Sequence, residues 1–117
     1  MLFIEYPKCS TCRRAKKWLD SRGASYTGRH IRTENPTAEE LALWQKQSGL
    51  PLKKFFNTSG MLYRQLGLKD RLPSMSDEEQ LGLLAGDGML VKRPLLIQDN
   101  GRVLVGFKEK EWEDALS

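Results

Sequence analysis

The sequence of 117 residues predicts an α/β domain with the element order β-α-β, a helical insertion, and then β-β-α. At the N-terminus an apolar run leads into an amphipathic helix and a second β-type run, which together make a βαβ unit. Two capping boxes open helices in the middle of the chain. Near the C-terminus, two apolar runs flank an Asn-Gly turn, the pattern of a β-hairpin. We expect a four-stranded mixed sheet and one domain over residues 1–117, with the insertion at about residues 36–88.

The first strand is predicted over Leu2 to Ile4, a short apolar stretch typical of a buried strand. The helix after it carries its apolar side chains on one face and should end near Gly23, a usual residue after a helix C-terminus. Residues 25–31 contain β-branched and aromatic side chains and predict the second strand. Because a helix connects the two strands, we expect them to be parallel.

Within the insertion, Thr37 with Glu40 and Ser76 with Glu79 are two capping boxes, each predicting the first turn of a helix. Residues 50–56 form an apolar turn or short helix. Residues 61–66 predict another short helix, which Gly67 ends.

The last third of the chain predicts strands over Leu95 to Gln98 and Val103 to Val105, joined by the Asn-Gly turn. A helix is then expected from Lys108 to Leu116. Phe107, Trp112 and Leu116 are its expected anchors in the core.

Composition excludes several classes of function. No apolar run has the length of a membrane span, and no signal peptide is recognisable, so the cytoplasm is the expected location. The net charge of +4 comes from scattered basic residues rather than from a dense stripe with aromatic platforms. We therefore expect a solvated basic face and no direct binding of nucleic acid, although a small anionic substrate fits this charge as well.

The two cysteines of the chain, Cys9 and Cys12, lie where the first strand turns into the first helix. Their spacing puts them one helical turn apart, close enough to bond to each other. Cys9 falls at the helix cap, where free N–H groups and the helix dipole stabilise a thiolate. Lys8, Arg13 and Arg14 add positive charge, which lowers a thiol pKa. A C-x-x-C pair on such a turn is the thioredoxin-like redox signature, and it predicts a redox-active disulfide.

Two other interpretations of the cysteines remain open. Buried cysteines can act as small hydrophobic side chains, but a strand exit beside several cations is a poor place for them. A tetrahedral zinc site needs four ligands, and with His30 as the single histidine it would require carboxylates or a second chain. We expect no metal and no organic cofactor.

The dipeptide Arg93-Pro94 is the second informative position. Proline is tolerated directly before a strand because it cannot donate to the ladder. In a thioredoxin-like arrangement this junction lies beside the C-x-x-C, where Arg93 can stabilise a thiolate or an oxyanion bound to one. The alternative is an ordinary surface arginine before an edge-strand proline.

Taken together, these residues resemble the arsenate reductase and Spx family, a glutaredoxin-type branch of the thioredoxin-like proteins. The resemblance extends nearly end to end and implies that Cys9 is the nucleophile, that Arg93 binds the anion, and that the Arg93–Pro94 peptide is cis. The motifs that carry it are Tyr6-Pro7-Lys8-Cys9-Ser10-Thr11-Cys12-Arg13, Glu34-Asn35-Pro36-Thr37, Leu66-Gly67-Leu68, Arg93-Pro94 and Val105-Gly106-Phe107. The candidate binding residues beside the nucleophile are Lys8, Ser10, Thr11, Arg13 and Pro94.

The chain also departs from the well-studied arsenate reductases. Cys12 stands where they have serine, so Cys9 can be resolved internally. Ungapped comparison puts Asn57 and Gly106 in place of their two further arginines, which predicts weak arsenate reduction at most. The resemblance implies an arsenate reductase-like thiol–disulfide oxidoreductase with a reducing partner such as glutathione, glutaredoxin or thioredoxin. The alternative is an Spx-type redox-sensing regulator that binds the C-terminal domain of the RNA polymerase α subunit.

Overall fold

The computed structural model describes residues 1–117 and contains a four-stranded mixed sheet in the order β2-β1-β3-β4. Strand β1 pairs in parallel with β2 and antiparallel with β3, and β3 pairs antiparallel with β4. The predicted thioredoxin-like fold class is therefore confirmed. The strands are β1 (Leu2–Glu5), β2 (Thr27–His30), β3 (Leu95–Ile97) and β4 (Val103–Val105). The helices are α1 (Ser10–Ser21), α2 (Ala38–Ser48), α3 (Met61–Gln65), α4 (Leu68–Arg71), α5 (Asp77–Gly86) and α6 (Glu109–Leu116).

Local signals account for the helix ends. Both predicted capping boxes form, since Thr37 and Ser76 each accept from the N–H of the glutamate three residues later, and that glutamate accepts in return. Helix α2 ends at Gly49, in the left-handed region at φ 70°. Gly23 and Gly67 adopt similar conformations at the predicted ends of α1 and α3.

The β-hairpin forms as predicted, with its turn at Gln98–Gly101. The Gly101 N–H donates to the Gln98 carbonyl at 2.9 Å, and Gly101 has φ 90°. This geometry is typical of the three-residue loop that ends in a glycine bulge. The turn leaves β3 and β4 paired from Leu95 with Val105 to Ile97 with Val103.

Several element bounds differ from the predictions. Strand β2 is limited to Thr27–His30, and β3 ends at Ile97. Lys108 caps α6 rather than belonging to it. Helix α4 and the 3₁₀ turns Leu72–Ser74 and Gly88–Leu90 were not predicted, whereas the 3₁₀ turn Leu52–Phe55 lies within the turn or short helix predicted over residues 50–56. None of the helices has the length and hydrophobicity that a membrane span requires.

The sheet is covered on both faces, and each face has its own hydrophobic core. A larger cluster contains Ile4 and Leu95 from the sheet and Leu41, Phe55 and Leu84 from the insertion. A smaller cluster joins the opposite face of β1, β3 and β4 to α1 and α6. It consists of Phe3, Ala15, Leu19, Leu96, Leu104 and Trp112. The turn that carries Cys9 is thus fixed between two packed layers.

Candidate active site

The turn from β1 into α1 places the two cysteines in different surroundings. The Cys9 N–H donates to the Tyr6 carbonyl at 2.9 Å, closing a β-turn with Pro7 in the position that proline favours. Cys9 is then the N-cap of α1, with extended backbone at φ −85° and ψ 124°. Cys9 is partly exposed, whereas Cys12, one turn later, is fully buried. Both are free thiols.

The pKa values of the two thiols are displaced in opposite directions. Burial raises the pKa of Cys9, but hydrogen bonds from the Cys12 N–H, the Cys12 thiol, the Thr11 N–H and the Arg93 side chain outweigh it, so that pKa is lowered. Burial, followed by the charge on Cys9, raises the pKa of Cys12 to about 12. At neutral pH the exposed sulfur is the better thiolate, and the buried sulfur keeps its proton.

Arg93 reaches the thiol from the other side of the turn. Its Nη1 donates to the Met89 carbonyl at 3.2 Å, and its guanidinium carbon lies 5.3 Å from the centre of the Tyr6 ring. The following peptide bond, to Pro94, is cis, as the resemblance implied. These contacts hold the guanidinium beside Cys9.

Cys9 opens into a cavity of about 440 Å³. Four cations line it and no carboxylate does: Arg14, Lys92, Arg93 and Lys108. None of the four is in an ion pair; the ion pairs of the chain involve other cations. The cavity is therefore suited to an anionic ligand in contact with the Cys9 sulfur.

Two glycines line this cavity at points where a side chain would come close to a neighbouring residue. A Cβ atom on Gly60 would lie 2.5 Å from the side-chain nitrogen of Asn57, so a larger residue there would displace that amide. A Cβ atom on Gly106 would lie 3.2 Å from Cε of Lys92. The stem of Lys92 therefore lies over Gly106.

Of the residues predicted from the sequence, the structure brings Cys9, Thr11 and Arg93 together on the cavity wall. Cys12 lies beneath them in the core. The other predicted binding residues do not line the cavity: Lys8, Ser10 and Arg13 are exposed, and Pro94 is buried. Arg14 takes the place predicted for Arg13, because it shares a helix face with Thr11 and donates to the Thr11 hydroxyl at 3.4 Å.

Sequence reasoning did not assign site roles to Lys92 and Lys108. Each contacts the site only after distant segments assemble. Asn57 and Gly106 did carry a signal, since the ungapped comparison with the arsenate reductases put them in place of two arginines. Both line the cavity.

The model that defines the ArsC family matches residues 4–115 of the chain. The chain belongs to the ArsC family. Among curated relatives, YusI of Bacillus subtilis, an uncharacterized protein, is 55% identical over 114 residues, covering 97% of this chain and 96% of YusI. The regulatory protein MgsR of Bacillus subtilis is 30% identical, covering 95% of this chain and 86% of MgsR. The global transcriptional regulator Spx of Staphylococcus aureus is 29% identical, covering 90% of this chain and 78% of Spx.

Solved structures of ArsC-type proteins have the same fold. An ArsC family related protein from Bacteroides fragilis matches with a TM-score of 0.93 and 57% identity, covering 97% of this chain and 94% of that one. A protein described as a possible arsenate reductase from Streptococcus mutans matches with a TM-score of 0.87 and 49% identity, covering 96% of each chain. This ArsC-family chain is thus similar both to proteins named as reductases and to proteins named as regulators.

Proposed function

We propose that the protein is a thiol–disulfide oxidoreductase in which Cys9 is the nucleophile and Cys12 is the resolving thiol. The observation that carries the proposal is the asymmetry of the pair. One thiol is accessible, has a lowered pKa and lies among unpaired cations, and the other is buried one turn behind it with its proton retained. Attack needs the first kind of thiol, and internal resolution needs a second one within reach.

In the first step the Cys9 thiolate attacks one sulfur of a substrate disulfide. A bond forms between Cys9 and that sulfur, the substrate S–S bond breaks, and the other substrate thiolate leaves. The Arg93 side chain stabilises the attacking thiolate, and the N–H groups of Thr11 and Cys12 face the same sulfur.

In the second step Cys12 resolves the mixed disulfide. Once Cys9 is bonded to substrate it no longer carries the charge that helps to raise the pKa of Cys12, so Cys12 loses its proton more easily. The Cys12 thiolate attacks the Cys9 sulfur, forms the Cys9–Cys12 disulfide and releases the second substrate thiolate.

Two molecules of glutathione, or the dithiol of one glutaredoxin or thioredoxin, then reduce that disulfide. The proposed location is the cytoplasm, and no metal or organic cofactor takes part.

The proposal excludes arsenate as the main substrate. Phosphate-like oxyanions are best held by several bidentate donors. Among the cavity's cations only Arg93 and Arg14 are guanidinium groups. The ungapped comparison puts Asn57 and Gly106 in place of two further arginines of the arsenate reductases. We expect arsenate turnover to be much slower than turnover of a disulfide.

The test is the pH dependence of Cys9 alkylation by iodoacetamide, with a small neutral disulfide, bis(2-hydroxyethyl) disulfide, as substrate in a parallel assay. Cys9 should react as a thiolate below the ordinary thiol pKa of about 8.5. Cys9→Ser should lose all turnover. Cys12→Ala should stop at the mixed disulfide, visible by mass spectrometry. Turnover by Cys9→Ser, or alkylation that follows an ordinary thiol pKa, would refute the proposal.

A second candidate function has a specific observation in its favour, because two relatives, MgsR and Spx, are named as regulators. On this alternative the same thiol pair is a redox sensor, and the oxidised protein binds the C-terminal domain of the RNA polymerase α subunit without turnover. A pull-down with that domain, in oxidising and in reducing buffer, separates the two functions. Binding that requires the Cys9–Cys12 disulfide would favour the regulator.

A further inference from the structure

A second cavity lies next to the one at Cys9. The second cavity, of about 290 Å³, is lined by Arg14, Lys17, Trp18, Ser21, Phe107 and Glu109. Arg14 and Phe107 line both cavities. The two cavities are therefore adjacent along α1, and together we call them the α1 groove, which extends from Cys9 past Phe107 to Ser21.

The length of the α1 groove indicates the size of its ligand. Cys9 is the N-cap of α1 and Ser21 is its last residue. At a rise of 1.5 Å per residue they lie roughly 18 Å apart along the helix. An extended chain covers that distance with about five residues at 3.3 Å each. A low-molecular-weight thiol, of about tripeptide size, would fill the first cavity and leave the second one empty.

The charge of the α1 groove indicates the chemistry of that ligand. Five cations line it, Arg14, Lys17, Lys92, Arg93 and Lys108, against the single carboxylate of Glu109. None of these cations is in an ion pair. Between them the partly exposed rings of Trp18 and Phe107 meet edge to face, with centres 6.0 Å apart. The groove thus offers cations along its length and an aromatic surface near its middle.

We propose that the α1 groove binds an extended acidic peptide segment of a protein disulfide, with the reactive cysteine over Cys9 and an apolar side chain against Trp18 and Phe107. The inference rests on the thiol–disulfide function above and assigns its substrate class. Arg14, which lines both cavities, is the residue expected to decide specificity because it contacts the segment on either side of Phe107.

The experiment uses full-length protein carrying Cys12→Ala, so that the mixed disulfide accumulates and can be followed by mass spectrometry. Two symmetrical peptide disulfides are compared. One comes from a pentapeptide in which glutamate and leucine flank the cysteine, and the other has lysine in place of glutamate. The acidic peptide should react about tenfold faster at low ionic strength, because a cleft of one charge sign concentrates opposite charge. That preference should shrink at high salt.

Arg14→Glu and Arg13→Glu make a matched pair. Both residues are exposed on α1 and both substitutions change the net charge equally, but only Arg14 lines the groove. Arg14→Glu should abolish the tenfold preference, whereas Arg13→Glu should change it less than twofold. Equal effects of the two substitutions would mean general attraction rather than a groove and would overturn the proposal.

Two further substrates complete the design. Glutathione disulfide is acidic but short, and it should react more slowly than the acidic pentapeptide; an equal or faster rate would overturn the peptide assignment. Bis(2-hydroxyethyl) disulfide is neutral and tests the chemistry alone. If it reacts and the two peptides do not differ, the groove proposal fails by itself. If none of the disulfides reacts, the proposed function fails with it.

Discussion

At the scale of the residue, the reactivity of Cys9 depends on several small contributions that oppose its burial. Burial raises the pKa of Cys9, and the hydrogen bond from the Cys12 thiol, which alanine would remove, lowers it more than the Arg93 side chain does. We therefore expect Cys12→Ala to raise the pKa of Cys9 more than Arg93→Ala does. Arg13→Ala, outside the cavity, should have the smallest effect. Ultraviolet absorbance of the thiolate against pH measures all three.

The Cys12 thiol does not obscure this titration, since burial and the Cys9 charge raise its pKa to about 12. Stability should change little in Arg93→Ala, because a partly exposed arginine contributes little to folding. An unchanged Cys9 pKa in Arg93→Ala would remove Arg93 from the site.

The sequence was sufficient to place the two cysteines, because their position depends on local order. Cys9 and Cys12 follow from the strand-to-helix turn, and Arg93 follows from the resemblance. The choice between Arg13 and Arg14 depends on the rotation of α1 about its axis, which is determined when Ala15 and Leu19 pack into the core. Lys92 depends on the register of a chain segment against Phe55, whose carbonyl accepts from the Lys92 N–H at 2.8 Å. No local pattern contains that information.

At the scale of the element, Glu40 links helix α2 to strand β2. It completes the capping box of α2, and it accepts two hydrogen bonds from Arg29 of β2, at 2.7 and 2.8 Å. The Arg29 side chain, followed by the Thr37 N–H, lowers the pKa of Glu40 to about 2. Glu40→Gln keeps a side chain suitable for the box and loses the ion pair. It should cost about 1–2 kcal/mol at neutral pH, measured by urea unfolding.

Glu79 provides the control, because it holds the same place in the second capping box without a cation partner. Glu79→Gln should cost less than Glu40→Gln, because it removes no ion pair. The cost of Glu40→Gln should also depend on pH. A lowered pKa stabilises the fold above the ordinary glutamate value of about 4.3, and that contribution disappears as the pH falls through about 2. A difference that persists at pH 2 would contradict the ion-pair explanation.

The buried turn at Gly88 packs against the backbone that follows β2, where there is no room for a side chain. A Cβ atom there would lie 2.0 Å from the Ile31 carbonyl oxygen and 2.8 Å from Oδ1 of Asn35. Gly88→Ala should therefore destabilise the protein by more than about 2 kcal/mol, because backbone must move. In α5, Gly82 has open space around the same position. Gly82→Ala should stabilise the protein by up to about 1 kcal/mol, and thermal unfolding measures both changes.

Elements were predictable where their signals are local. The capping boxes and terminal glycines determine α2, α5 and the end of α1 without help from the rest of the chain. Helix α4 and the 3₁₀ turn at Gly88–Leu90 are four and three residues long and have no independent stability. They exist because Leu68 and Leu90 are buried in the larger core. Tertiary packing, which a local pattern does not record, determines them.

At the scale of the whole molecule, Trp112 connects the smaller core to the active site. Its ring is fully buried against Phe3, Trp18 and Phe107, and its Nε1 donates to the Gly106 carbonyl at 3.0 Å. Trp112→Phe should lose packing and leave that carbonyl without its partner, a cost of about 2–3 kcal/mol. For a chain of this length the melting temperature should fall by roughly 10 °C.

Trp44 is a suitable comparison, because it is buried in the larger core but makes no side-chain hydrogen bond. Trp44→Phe should lose packing alone and cost less than Trp112→Phe. Equal costs would show that the bond to Gly106 contributes nothing. The parallel pairing of β1 with β2 and the terminal hairpin were predicted from the sequence, whereas the pairing of β1 with β3 that joins them was not.

Because Cys12 is completely buried, its alkylation can be used to measure how often the folded protein opens. An alkylating reagent meets one thiol in the folded chain and two in the unfolded chain. When Cys9 is replaced by serine, each alkylated molecule has opened far enough to expose Cys12 beneath α1. At high reagent concentration the labelling rate becomes the opening rate itself, and at low concentration it reports the population of the open form. Alkylation of this one sulfur, which the proposed mechanism uses as the resolving thiol, thus also measures local opening of the surrounding structure.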